Sequence, residues 1–430
     1  MEIWLPADNW NGKFQAVGNG GWAGVVTYGG APQAIPRNMA FALREGYATA
    51  STDTGHRADG TQGKFAVGHP EKLVDFAYRA VHEMTVTSKA LITTFYGSAP
   101  RLSYWNGCST GGRQGLLEAQ RFPEDFDGIV AGAPANYWTH LTAGIMWGAQ
   151  AAHAGQPGNL PADKLSLLHD AVISACDRLD GVRDGVLQDP TRCTFDVKPL
   201  QCKAADRSSC LTASQVDAAQ RMYAGARNPR TNQQVYPGMA YGSELGWDPV
   251  NGLQPFAIAE SYFRDVVFND PKWDYRTLDF DRGVVMADQA DNGLITATDP
   301  NLQRFFARGG RLIQYHGWND QQISPYNSIN YYKSVEARLG GREAVNKSYR
   351  LFMAPGMMHC AAGEGPNQFN PIAALERWRE SNVAPNEIVA THVTNGVVDA
   401  TAPLCPYPQV AMYKGKGSTG DAANYTCRAP

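Results

Sequence analysis

Ser109 stands between Gly107 and Gly111 in the stretch YWNGCSTGGR, and the 430-residue chain holds no second Gly-x-Ser-x-Gly. A serine hydroxyl is a weak nucleophile until a histidine takes its proton and a carboxylate orients that histidine. Glycines two positions either side suit a strand-to-helix turn so tight that side chains there would clash, and the strain lifts the hydroxyl above the sheet. The chemistry open to such a group is acyl transfer through a covalent ester.

In folds that use this turn the acid and then the base follow the serine along the chain. Of nine histidines, His316, His359 and His392 come late enough. His359 ends an apolar strand-like run, YRLFMAPGMMHC, where a base would hang over a sheet edge. His316 is the alternative base, or else a residue whose hydrogen bond fixes its loop. Asp320, in HGWNDQQISP, lies between Ser109 and His359 and completes the order; its other reading is a cap for the helix near Tyr326.

Cys108 precedes the serine and Cys360 follows the histidine. A hydroxyl within hydrogen-bond reach of an imidazole brings these neighbours close, since adjacent α-carbons are about 3.8 Å apart. The two cysteines then fall near the roughly 4.4–6.8 Å window of a disulfide, which would staple the nucleophile loop to the base loop. The eight cysteines form an even set without a Cys-x-x-Cys pair, which favours disulfides and an oxidising compartment over free buried thiols.

The elements that must position these groups are legible in outline. GKFQAVGNGG, YATASTDTG and Leu102 to Trp105 read as strands and Glu71 to Thr94 as a helical run, an alternation that predicts a parallel sheet covered by helices. After GIVAGAP the strand pattern stops and four cysteines fall within 35 residues; it resumes at RLIQYHGWND. The chain therefore divides into a sheet core (1–138), an inserted lid (139–300) and the rest of the core (301–430), the insertion covering the carboxyl edge of the sheet.

A net charge of −3 from 38 basic and 41 acidic residues supplies no field to gather nucleic acid or anionic lipid. No apolar run approaches the roughly 18 residues of a membrane helix. The expected partner is a small molecule, with no nucleic acid and no membrane. The first residues carry no basic and apolar leader and begin in mid-strand, as expected where an export signal and leading strands lie upstream. The expected location is secreted or periplasmic.

GCSTGGRQGLLEAQRFPEDFDGIVAGAP, HGWNDQQISP and APGMMHC, with GNGGWAG near the start and LCPYPQVAMYKG…YTC at the end, resemble the tannase and feruloyl esterase family over nearly the whole chain. The resemblance implies an α/β fold, an alpha/beta-hydrolase sheet domain with a large lid, in which a disulfide joins the residues flanking the catalytic serine and histidine. It implies Ser109, Asp320 and His359 as the triad, and the backbone N–H groups of Thr110 and Gly20 as the oxyanion hole. The further bridges expected are Cys176 with Cys193, Cys202 with Cys210, and Cys405 with Cys427.

Between Cys176 and Cys193, three aspartates and two Asp-Gly turns could wrap oxygen ligands around a hard cation, although the spacing is not that of an EF-hand and an ordinary acidic turn has the same composition. Similar loops in the family imply a structural calcium on Asp177, Asp180 and Asp184 and the carbonyls of Val182 and Val186. No organic cofactor is expected. The activity implied is hydrolysis of small aromatic esters, feruloyl or galloyl, with terephthalate monoesters as the alternative within the family; a lipase and a non-catalytic binding protein are the readings outside it. Tyr241, Trp247, Tyr262, Phe263 and Trp273 are the lid aromatics expected to contact the acid ring.

Overall fold

The computed structural model describes residues 1–29, 35–153, 158–205, 207–252 and 254–430. A seven-stranded sheet forms its centre: β1 (Glu2–Trp4), β2 (Lys13–Val17), β3 (Ala48–Ser51), β4 (Leu102–Cys108), β5 (Gly128–Gly132), β6 (Arg311–Gly317) and β7 (Tyr349–Ala354), in the spatial order β1-β3-β2-β4-β5-β6-β7. β1 pairs antiparallel with β3 at one edge, and every other pairing is parallel.

Successive side chains of a strand point to opposite faces, and here both faces are covered. Tyr104, Val130, Ile313 and Phe352 pack with Trp378 on one side, while their neighbours Trp105, Ile129, Leu312 and Leu351 pack with Leu116 and Tyr332 on the other. A strand buried on both faces is apolar throughout rather than alternating, which is why the sequence of β4 to β7 shows no two-residue period.

Among the described residues no strand of this sheet lies between β5 and β6. That stretch is mainly helical, with one short ribbon (Ala226–Arg227 with Gln234–Tyr236). It builds its own core around Trp138, Met146, Leu168, Trp247, Tyr262 and Phe263, and Trp22 and Phe76 of the sheet domain join that core. The lid is thereby anchored beside the Gly18–Gly21 loop: the Trp22 indole donates to Ser261 Oγ at 3.0 Å and to the Ile258 carbonyl at 3.1 Å. After β7 the chain forms a helix (Pro371–Ser381) and two antiparallel pairs, Ile388–Thr394 with Val397–Leu404 and Val410–Tyr413 with Tyr425–Arg428.

Four disulfides are present, 108–360, 176–193, 202–210 and 405–427. Among the described residues no helix is long and apolar enough to cross a membrane.

Candidate active site

Ser109 follows the last residue of β4 and precedes the helix Thr110–Arg121, with φ 64°. A non-glycine residue in that region is strained; its N–H is held by the Gly132 carbonyl at 2.9 Å. The glycines around it are dictated by space. A β-carbon at Gly107 would lie 2.6 Å from the backbone of Gly111, and one at Gly112 would lie 2.3 Å from the Gly132 oxygen.

Two further strand ends deliver the partners. Asp320 follows β6 and His359 follows β7. Ser109 Oγ donates to His359 Nε2 at 3.0 Å, and His359 Nδ1 donates to Asp320 Oδ2 at 2.8 Å. Asp320 is fully buried, its Oδ1 accepting the N–H groups of Gln322 and Ile323 at 2.9 Å each. Burial alone would raise its pKa, but its electrostatic interaction and hydrogen bonds with His359 and His316 outweigh that and hold it well below the usual carboxylate range. An ionised acid on Nδ1 fixes the tautomer that leaves the Nε2 lone pair for the serine proton.

His316 is not the base. It is fully buried on the far side of Asp320, its Nε2 3.0 Å from Oδ2. His392 lies on the C-terminal hairpin beside Asp399. Behind the base, Cys360 has φ 61° and is bonded to Cys108, and Arg37 Nη1 donates to its carbonyl at 2.8 Å.

Gly20 and Gly21 line a cavity of about 360 Å³ together with Ser109, His359, Arg37, Ile258 and Gln322. The N–H groups of Thr110 and Gly20 meet no acceptor among the described residues. The loop that carries Gly20 is tied to the nucleophile helix: Gly111 N–H donates to the Asn19 carbonyl at 2.8 Å, the Gln114 and Asn19 side chains bond to each other at 3.0 Å, and Thr110 Oγ1 donates to the Gly21 carbonyl at 2.6 Å. Asn19, Gln114 and Gln321, whose Oε1 accepts the His359 N–H at 3.1 Å, escaped the sequence reading. The available signal was a glutamine on the apolar side of a helix.

The lid aromatics are placed differently from expectation. Trp247, Tyr262 and Phe263 are buried in the lid core, Tyr241 packs on Tyr223 and Phe195, and Trp273 stacks on Phe263 and Phe268. None of the five lines the catalytic cavity; Ile258 and Gln322 do.

In the Asp177–Val186 loop, the three carboxylates fold back on the loop's own backbone, Asp177 accepting from Gly185, Asp180 from Val182 and Asp184 from Val186 at 2.9–3.1 Å. Burial, followed by the negative charges of Asp184 and Asp177, pushes Asp180 up to about 6, and burial raises Asp184 as well. Three partly desolvated carboxylates on one short loop offer the kind of oxygen donor a hard cation takes. Their oxygens are spread wider than a gathering within 4.8 Å of one another.

The family profile described as tannase and feruloyl esterase matches residues 1–428. The chain belongs to the tannase and feruloyl esterase family. An uncharacterized esterase of Xanthomonas campestris pv. campestris is 36% identical in a match that covers 99% of this chain and 81% of that protein. The crystal structure of feruloyl esterase B from Aspergillus oryzae superposes with a TM-score of 0.91 at 33% identity, covering 99% of this chain and 86% of that one. Tannin acyl hydrolase from Aspergillus niger superposes at 0.85 with 25% identity, over 100% and 83% of the two chains. The fold of this family member is accordingly an alpha/beta-hydrolase sheet with an inserted lid.

Proposed function

We propose that this member of the tannase and feruloyl esterase family is a serine carboxylesterase acting on small esters of aromatic acids. The observation that carries the reading is the line of hydrogen bonds Ser109–His359–Asp320 at the foot of a cavity. Ser109 Oγ attacks the ester carbonyl as His359 Nε2 takes its proton. The oxyanion that forms is met by the N–H groups of Thr110 and Gly20, in a site where preorganised donors supply the largest electrostatic stabilisation. Collapse expels the alcohol, which receives the proton from His359, and leaves an acyl-serine. Water, deprotonated by the same imidazole, releases the acid.

The aromatic acid is supported by relatives named feruloyl esterase and tannin acyl hydrolase. The test is hydrolysis of methyl ferulate, methyl gallate and mono(2-hydroxyethyl) terephthalate beside aliphatic esters of matched alcohol. Turnover of the ferulate or gallate ester above the others, lost in Ser109→Ala, is expected. Preference for long aliphatic chains, or activity that survives Ser109→Ala, overturns the reading.

A structural calcium in the lid is part of the proposal, with Asp177, Asp180 and Asp184 and the carbonyls of Val182 and Val186 as its ligands. Its service is to neutralise the carboxylates of this loop, and no step of ester hydrolysis passes through it. Export to an oxidising compartment is the remaining part, supported by the four disulfides.

A further inference from the structure

Two histidines meet at one oxygen. Asp320 Oδ2 lies 2.8 Å from His359 Nδ1 and 3.0 Å from His316 Nε2. Counting donors and acceptors shows which state of the second ring satisfies its neighbours. His316 Nε2 faces two acceptors, Asp320 Oδ2 and the Ile323 carbonyl, both at 3.0 Å, so it carries a proton. His316 Nδ1 lies 2.6 Å from Ser328 Oγ. That hydroxyl already accepts the Gln314 side-chain N–H at 2.6 Å, and the Gln314 oxygen is taken by the Tyr349 hydroxyl. Among the described residues the Ser328 proton has one acceptor left, Nδ1 of His316. A neutral imidazole pairs every one of these groups, whereas an imidazolium would leave the Ser328 proton without an acceptor among them. Gln314, His316, Asp320, Ser328 and Tyr349 are all fully buried, so the chain runs through protein interior.

We propose that His316 is a positioning residue of the esterase, a neutral second donor on the oxygen of Asp320 that serves His359, fixing the acid in place and dividing that oxygen's charge between two imidazoles. The proposal rests on Asp320 and His359 as the acid and base of the reaction. A carboxylate oxygen already polarised by one N–H attracts a second proton-bearing ring less strongly. Removing the His316 donor leaves the acid more freely oriented and lets it pull harder on the His359 imidazolium. The first effect lowers kcat; the second moves the acid limb of activity toward higher pH. Few other charges face the pair. Tyr236 is buried beside Asp320, its phenol raised well above the ordinary value mainly by burial and so neutral, and Arg37 stands behind Cys360 as a constant cation.

The experiment compares kcat and KM against pH, on one neutral ester, for wild type, His316→Phe and His316→Gln. Phenylalanine keeps a ring and removes both nitrogens; glutamine keeps an N–H near the Nε2 position. His316→Phe is expected to lose about tenfold or more in kcat with KM nearly unchanged, and to shift the acid limb upward by about half a pH unit. His316→Gln is expected to restore the limb and most of kcat. A limb that stays in place in both folded variants, or a glutamine variant indistinguishable from the phenylalanine one, overturns the proposal. Where the variants do not fold, imidazole ¹⁵N spectra of wild type with the His316 ring assigned decide, because buried His56 also holds Nε2 against a carbonyl: the His316 ring is expected to stay neutral and Nε2-protonated across the pH range where activity rises, and a doubly protonated or Nδ1-protonated His316 overturns it. Failure of the triad itself reads out separately, as activity surviving Ser109→Ala.

Discussion

The α-carbons of Cys108 and Cys360 stand 6.0 Å apart across a separation of 252 residues, joined through their sulfurs. Each cysteine is the direct neighbour of one end of the Ser109–His359 hydrogen bond, so the bridge fixes the two loops at the point where geometry matters most. Closing so long a loop is worth roughly 5 kcal/mol in the chain-entropy account. The double variant Cys108→Ala/Cys360→Ala is expected to lose about 100-fold in kcat, because a misplacement of about 1 Å at reacting atoms costs that much. Steady-state esterase kinetics at a temperature where circular dichroism shows the variant folded checks it; unchanged kcat contradicts the role.

Asp320→Asn presents an amide where the buried carboxylate receives His359 Nδ1–H. An amide N–H facing Nδ1 favours the tautomer with its proton on Nε2, which cannot take the serine's. A fall in kcat of about 10⁴-fold with KM little changed is expected. Asp320→Ala should fall comparably and, unlike Asn, should also lower the melting temperature, since the N–H groups of Gln322 and Ile323 lose their buried acceptor.

Much of this site was legible because its signals are local or ordinal. Gly107 and Gly111 flank the serine, Asp320 and His359 follow in order, and the two cysteines mark their neighbours. The sequence's strand pattern stops after GIVAGAP and resumes at RLIQYHGWND, and among the described residues β5 and β6 bound a stretch without strands of the central sheet. What was not legible depends on distant packing. His316 is next to last in a strand and four residues before Asp320, yet only the turn around Gly317 and the buried Ser328 decide that its ring faces the acid and not the serine. The lid aromatics were misplaced for a similar reason: an aromatic side chain gains as much by filling a lid core as by facing a ligand, and composition does not distinguish the two. The Asn19–Gln114 bond spans 95 residues and leaves no periodic trace.

Gly107 and Gly20 test the packing argument as a pair. A β-carbon at Gly107 would meet backbone atoms of Gly111 at 2.6 Å, whereas one at Gly20 would meet nothing within 4 Å. Gly107→Ala is expected to destabilise by about 3 kcal/mol, the cost of forcing backbone apart in a packed core. Gly20→Ala is expected to leave the melting temperature within experimental scatter. Thermal unfolding of the two variants side by side checks the contrast.

His169, in the lid helix Ala162–Cys176, lies 2.9 Å from Glu244 Oε2 and 3.4 Å from Glu364 Oε2. Burial disfavours its charge, but the two carboxylates outweigh burial and raise it to about 9. Glu364 is lowered, first through its hydrogen bond to His169. Glu364 follows Cys360 in the base loop, so the imidazolium clasps lid to base loop. Its folded pKa exceeds the unfolded value of about 6.5. Its contribution is thus fully present below about pH 6.5 and disappears as pH rises through about 9. The melting temperature of wild type is expected to fall across that window more steeply than that of His169→Gln; parallel curves contradict the clasp.

The calcium proposal predicts a response confined to stability. A ligand that binds only the folded chain adds about 2.7 kcal/mol at a hundredfold excess over its Kd, so calcium should raise the melting temperature and a chelator should reverse it. The effect should be largest at neutral pH and shrink toward acid, because ligands must be deprotonated to bind and burial with neighbouring charge sets Asp180 near 6. Asp180→Asn and Asp184→Asn should each lose the calcium response. In the absence of calcium both should melt no lower than wild type, since each removes one of the neighbouring negative charges of the loop. Because the loop lies in the lid between Cys176 and Cys193 and its residues form no part of the catalytic cavity, kcat on a neutral ester should be the same with calcium or chelator at temperatures well below unfolding. A melting temperature indifferent to both calcium and chelator at neutral pH contradicts the site, and a kcat that falls on chelation while the protein stays folded contradicts its assignment as structural.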